Sequence, residues 1–199
     1  MSENPQRRSR GEARREQIID EALRAFADNG YRGASIAEIA ERCGLSQPGL
    51  LHYFPSKAAL LAAVLEQRDR LDYDRMSAGR PLSGKDALMR LVQLVEYNEH
   101  VPGLVRLFTV LTSEAVTADH PAHEWAVRRY RKFGEYLAQA LADGQADGTI
   151  RAEVDTVAVA RQISAMMDGL QLQWLLDPER VDMPGLFRAY IEELIAGLS

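Results

Sequence analysis

Residues 35–57 read SIAEIAERCGLSQPGLLHYFPSK, a stretch in which serine recurs at three helix starts and two glycines and two prolines interrupt the chain. Ser35 opens a capping box with Glu38, in which the serine oxygen accepts an amide proton of the first turn. The helix it starts is short, over residues 36–42, and Cys43-Gly44 ends it. Ser46 caps a second helix that Pro55 closes within two turns, and Ser56 caps a third running over 57–76. Pro48 falls in the first turn of the second helix, where a missing amide proton costs little. Gly49 removes a side chain where backbone comes close to a partner, at some loss of helix stability. Two short helices about a glycine turn form the helix-turn-helix pattern. Ala37, Ile39, Ala40, Leu45 and Leu50 supply the apolar side that a third helix must cover.

That third helix lies upstream. Over 12–28, Ile18, Ile19, Ala22, Leu23 and Phe26 recur at three- and four-residue spacing with charged residues off the stripe, and Asn29-Gly30 is its expected stop. Downstream, a Gly/Pro/Ser break over 79–84 precedes longer helical segments at about 85–98, 102–117, 121–144, 155–176 and 184–198. Only GTIRAEV (148–154) has a strand-like pattern, and it is too isolated to build a sheet. The reading is all-α: an N-terminal three-helix helix-turn-helix domain followed by a larger helical domain. The expected divisions are a basic, flexible arm over 1–11, the helix-turn-helix over 12–56, a connector helix over 57–78 and a C-terminal domain over 79–199.

The 199 residues carry a net charge of −5, unevenly placed. Residues 1–57 hold nine Arg and Lys against eight Asp and Glu, and the rest hold fifteen against twenty-one. Arg7, Arg8, Arg10, Arg14 and Arg15 face only Glu3 and Glu12 in the first fifteen positions. They form either a solvated tail or an arm that follows a nucleic-acid backbone. The one cysteine, Cys43, rules out an internal disulfide and fits a reducing compartment. No apolar run is long enough for a membrane span or a signal peptide. A soluble cytoplasmic protein without membrane partners is expected.

Residues 12–73 resemble the DNA-binding domain of the TetR family of bacterial transcriptional repressors. The resemblance rests on IIDEALRAFADNGYRGASIAEIAERCGLSQPGLLHYFPSKAALLAAVL (18–65): an Ala-Phe helix end, Gly-Tyr, a serine cap, Ile-Ala, Gly-Leu-Ser, an aromatic pair and Ser-Lys. It implies that Gln47 to Phe54 is the recognition helix and that Ser46, Gln47, Pro48 and Gly49 enter the major groove. There Gln47 can pair bidentately with an adenine edge and Pro48 can meet a thymine methyl. His52 and Tyr53 fall where the family lines the groove and binds phosphate. Lys57 matches its phosphate-binding lysine, and Ser35 can hold a phosphate oxygen at a helix start. Leu51 departs from the family's frequent tyrosine, which puts a phosphate contact there in doubt. Tyr53 can alternatively pack on helix 12–28; Leu50 is core, and Phe54 is expected to be.

The same resemblance implies that the C-terminal half binds a small-molecule inducer and dimerises. Candidate ligand-binding residues are Tyr97, Phe108, Glu114, Trp125, Met167, Asp168 and Gln171, in which a few polar groups punctuate an apolar set. Glu114 and Asp168 suit a cationic ligand, or are solvated or paired acids. The last two helices are expected to pair with those of a second copy through Ala158, Ala165 and Gly169 and the apolar faces of Leu172, Leu176, Leu186, Phe187, Tyr190, Ile191, Leu194 and Leu198. A homodimer of this kind matches a two-fold, palindromic double-stranded DNA operator.

Other classes find little support. His120 and His123 share a helix face and His100 is a possible third imidazole, but no fixed further ligand completes a metal site. No phosphate loop, nucleophile elbow or HExxH motif proposes a reaction, and no cofactor is implied. The competing reading is a helical ligand-binding or scaffolding protein without operator binding.

Overall fold

The computed structural model describes residues 5–76 and 82–198. Among them the regular elements are all helical: α1 (Pro5–Gly33), α2 (Ile36–Arg42), α3 (Gln47–Tyr53), α4 (Lys57–Met76), α5 (Gly84–Glu99), α6 (Pro102–Glu114), α7 (His123–Ala146), α8 (Thr156–Leu176) and α9 (Met183–Leu198). The strand-like 148–154 is instead a turn, in which the Thr149 hydroxyl donates to Asp147 at 2.6 Å and Ile150 is buried. Two compact units divide the chain. The first takes the residues up to 71 together with 106–124; the second takes 72–105 and everything from 125 onward. Most of α6 falls in the first of these units.

In the first unit, the apolar stripe of α1 is buried as its spacing requires: Ile18, Ile19, Ala22 and Phe26 are each 1% exposed or less. Ile39 and Ala40 of α2, Leu50 of α3, Leu60, Leu61 and Val64 of α4 and Leu107 and Leu111 of α6 are likewise buried. α2 packs against both α1 and α3. The helix α1 begins at Pro5, so the expected flexible arm is helical from there; the side chains of Arg7, Arg8 and Arg10 lie outside the described residues.

The turn between α2 and α3 is built by a glycine. Gly44 has φ +65, a conformation costly for any residue with a Cβ. Its amide donates to the carbonyl of Glu41 at 2.8 Å, and that of Leu45 to Ala40 at 2.9 Å. These two bonds satisfy the last carbonyls of α2 and turn the chain sharply into α3.

In the second unit, α9 packs along α5 and α8. Leu88, Leu91, Val92 and Val95 of α5, Leu137 and Leu141 of α7, Ile163, Met167, Leu170 and Trp174 of α8, and Phe187 and Ile191 of α9 form one continuous core. Phe187, Ile191 and Leu198 were expected on an outward seam. They face this core instead, because α9 turns that side onto α5 and α8. The outward apolar face is carried by Met166, Leu172, Leu176 and Leu186, the last three 47%, 76% and 51% exposed. Among the described residues no helix is long and apolar enough to cross a membrane.

Candidate nucleic-acid interface

Three serine caps set the register of the helix-turn-helix. The Oγ atoms of Ser35, Ser46 and Ser56 accept from the amides of Glu38 (3.4 Å), Gly49 (3.3 Å) and Ala59 (3.1 Å). Each such cap is worth about 1 kcal/mol. Ser46 has an extended backbone, so the helix starts sharply after it, with Gln47 and Pro48 in its first turn. Both side chains are exposed, whereas Leu50 is 0% and Phe54 3% exposed. The first turn of α3 therefore offers a donor–acceptor amide and an apolar ring outward, on a helix anchored from behind. Gly49 has an internal reason as well: a Cβ there would lie 3.3 Å from Ser46 Oγ, crowding the cap.

His52 is exposed and Tyr53 half-buried, with their rings edge to face at 6.0 Å. Lys57 is held from within. Its ammonium donates to the carbonyl of Arg32 at 3.2 Å and sits 4.9 Å from the centre of the Tyr31 ring. Burial pushes its pKa below the ordinary lysine value, with the Glu114 carboxylate opposing that shift. It thus ties the start of α4 to the end of α1, a role that spacing alone did not show.

Two of the N-terminal arginines are also occupied. Arg14 donates to the carbonyl of Cys43 at 2.8 Å, helping to satisfy the end of α2, and to Gln17. The Arg15 guanidinium lies 5.0 Å over the Phe54 ring. These contacts make Arg14 and Arg15 part of the domain's packing, not of a loose tail.

The ligand-side candidates divide between the units. Phe108 and Glu114 belong to the first, Phe108 beneath the Arg68 guanidinium (4.7 Å) and Glu114 against the end of α1. Tyr97, Trp125, Met167, Asp168 and Gln171 belong to the second. Met167 is part of its core, Gln171 is buried, and Trp125 lies under the Arg129 guanidinium at 5.8 Å. A groove of about 470 Å³ in this unit runs along Ala165, Met166, Gly169 and Gln173 of α8 to Tyr190 of α9, and includes none of the seven.

Asp168 accepts from the Tyr130 hydroxyl at 2.7 Å. Burial raises its carboxyl above the ordinary aspartate value, outweighing the hydrogen bond and Arg129, which lower it. A raised folded-state pKa contributes stability that is present below the unfolded-state value and lost as pH rises through the folded one. Asp168→Asn keeps an acceptor for Tyr130 without the charge. It should melt at a higher temperature than wild type near neutral pH, and the gap should close on acidification toward the unfolded-state pKa. Thermal melts of both proteins across that window check this.

His100, His120 and His123 are each engaged with the backbone. His123 Nδ1 donates to the Ala115 carbonyl at 2.8 Å, His100 Nδ1 to that of Glu96 at 3.1 Å, and His120 Nδ1 accepts from the Ala122 amide at 3.1 Å. Among the described residues no three His, Cys, Asp or Glu side chains are grouped to hold a metal ion.

The arrangement is a short, capped helix whose first turn is exposed and whose Leu50 and C-terminal Phe54 are buried. Residues 18–64 match the family model described as bacterial regulatory proteins, tetR family, and 88–198 match that of the BetI-type transcriptional repressor C-terminal region. The chain belongs to the TetR family. It is similar to the HTH-type transcriptional regulator PksA of Bacillus subtilis, 29% identical over 190 residues, 92% of this chain and 89% of that protein. A TetR-family regulator from Rhodococcus sp. shares its structure with a TM-score of 0.74 at 25% identity, over 92% of this chain and 98% of that one. The Bacillus subtilis regulator FadR, solved with stearoyl-CoA, shares the fold with a TM-score of 0.73 at 19% identity, over 92% and 99% of the two chains. This TetR-family protein is a DNA-binding transcriptional regulator and not an enzyme.

Sequence reasoning missed Tyr31 as an organising residue, and left Glu114 as either a ligand contact or a paired acid. The glycine of NGYRG (29–33) was the available signal, since a glycine before an aromatic at a helix end marks backbone that a neighbour approaches closely.

Proposed function

We propose that this TetR-family regulator is a repressor that binds a palindromic operator as a homodimer and is released by a small molecule. The observation that carries the reading is the exposed first turn of α3, Gln47-Pro48, held by the Ser46 cap above a buried Leu50. In the bound state Gln47 reads an adenine edge and Pro48 contacts a thymine methyl, with Ser46 and Gly49 beside them and His52 lining the groove. Tyr53, Lys57 and Ser35 take phosphate oxygens and fix the register.

The two copies meet through the outer face of α8 and α9. Ala165, Gly169, Leu172 and Leu176 lie at helical spacing on one side of α8, and this side remains exposed while the opposite side fills the core. Small residues there allow close approach of the partner helix, and the exposed leucines supply the area. The ligand enters the second unit, for which Tyr97, Trp125, Asp168 and Gln171 are the proposed contacts. That FadR, which shares the fold, was solved with stearoyl-CoA supports ligand binding by this chain. The chain passes between the units inside α4, at 71–72, inside α6, at 105–106, and in the first turn of α7, at 124–125, so these three helices carry the signal. A ligand acts only as far as it prefers the state that cannot span both half-sites.

Selection of duplexes from a random pool tests the reading. The wild-type protein should enrich a two-fold sequence, with affinity falling steeply as salt rises. Gln47→Ala should lose about 1–3 kcal/mol of discrimination at one position per half-site. Tyr53→Phe combined with Lys57→Ala should weaken binding to all sequences alike and flatten the salt slope. Absence of any salt-sensitive, sequence-preferring binding would sink the repressor reading.

A further inference from the structure

The end of α1 is shaped around a carboxylate from a distant part of the chain. Gly30 has φ 67 and ψ −179, a region that only glycine occupies readily. This kink points the next amide, of Tyr31, out of the helix and toward α6. There it donates to Glu114 Oε2 at 2.7 Å, across 83 residues of sequence. The carboxylate approaches so closely that a Cβ on Gly30 would lie 2.2 Å from Oε1.

The other side of Glu114 is walled by His120. Its ring is buried, and Nδ1 accepts from the Ala122 amide, so the neutral ring carries its proton on Nε2. Nε2 faces Glu114 Oε2 at 3.5 Å, and the ring meets Tyr31 edge to face at 5.3 Å. Tyr31 in turn lies under the Lys57 ammonium, which donates to the Arg32 carbonyl. A continuous set of contacts therefore runs from the last residue of α6 to the first residue of α4.

We infer that Glu114 is a positioning residue for operator binding: its carboxylate latches α6 to the kink at Gly30-Tyr31 and so sets the place of Lys57 beside the recognition helix. The inference rests on the operator-binding reading for its consequence, but the latch itself is a property of the free protein. It also names a coupling point for regulation. Glu114 ends a helix that begins in the second unit, so a shift of α6 that draws the carboxylate from the Tyr31 amide loosens the corner carrying Lys57. The exposed Arg106–Asp28 ion pair also ties α6 to α1, but solvent screens it and its contribution is small.

Two measurements on Glu114→Ala, Glu114→Asp and Glu114→Gln decide the matter. Aspartate keeps the charge but withdraws the oxygen by one methylene; glutamine keeps the reach and an acceptor. In the free protein, exchange of the Tyr31 amide with deuterium should speed up about tenfold or more in the alanine and aspartate variants and little in the glutamine one. On the duplex selected by wild type, the first two should bind about tenfold more weakly with base preference unchanged, and glutamine should restore most of the affinity. Gly30→Ala should match Glu114→Ala, and the double variant should be no weaker than either. Unchanged Tyr31 exchange in the alanine and aspartate variants overturns the latch, whatever the DNA result. Altered exchange with unchanged affinity overturns its role in positioning. If wild type selects no duplex, the operator reading fails and amide exchange still judges the latch.

Discussion

Ala165→Arg is expected to leave the protein monomeric and to weaken binding to a two-fold operator by about 10²–10⁴-fold. Ala165 lines the groove of α8 beside Met166 and Gly169, on the side away from the buried Ile163 and Met167. An arginine there stays solvated in the monomer and does not disturb the core. Against a second copy it must be buried without a partner, or hold the helices apart. Each recognition helix is untouched, so affinity for a single half-site should stay close to that of wild type. What is lost is the second half-site's binding within one complex. Sedimentation velocity and gel shifts on whole and half operators separate these effects. A variant that remains dimeric by sedimentation places the seam elsewhere.

Leu50→Ala is expected to destabilise the first unit by about 2–5 kcal/mol. Leu50 is 0% exposed, lies in the middle of α3 and also holds the helix end, its carbonyl accepting from the Phe54 amide at 3.1 Å. Truncation removes apolar burial and leaves a cavity beneath a helix of only seven residues, which has no internal reserve of stability. Because domains are stable by only about 5–15 kcal/mol, operator binding should fall with it. Gln47→Ala, three residues earlier and exposed, should leave stability within about 0.5 kcal/mol and change only base preference. Denaturant midpoints alongside duplex selection distinguish the two. Equal loss of stability in both variants would mean that Gln47 is a structural residue.

Local chemistry made much of this protein readable from its residues. Serine caps at 35, 46 and 56, the glycine turn at 44 and the apolar stripe of α1 each act over a few positions, so α2 and α4 fall where spacing and caps place them. The exposed first turn of α3 was legible for the same reason, since Pro48 and Ser46 define it by covalent geometry and one hydrogen bond. Boundaries suffered where no strong local signal stood. α1 starts at Pro5, ahead of the expected 12, and the strand-like 148–154 is a turn.

Contacts between distant positions were not legible. Glu114 looked like an acid among apolar neighbours, and its partner is the amide of Tyr31 exposed by a glycine kink. Lys57 looked free for phosphate and already holds Arg32. Phe187 and Leu172 both read as seam residues, yet one is core and the other exposed. Periodicity says that a helix has an apolar side; only the packing of α5, α8 and α9 decides which of two apolar sides is spent inside. The sequence by itself determined the helices, their caps, the turn and the family. The tertiary structure decided which side chains meet, because hydrogen bonds and burial depend on distance in space, which spacing along the chain does not encode.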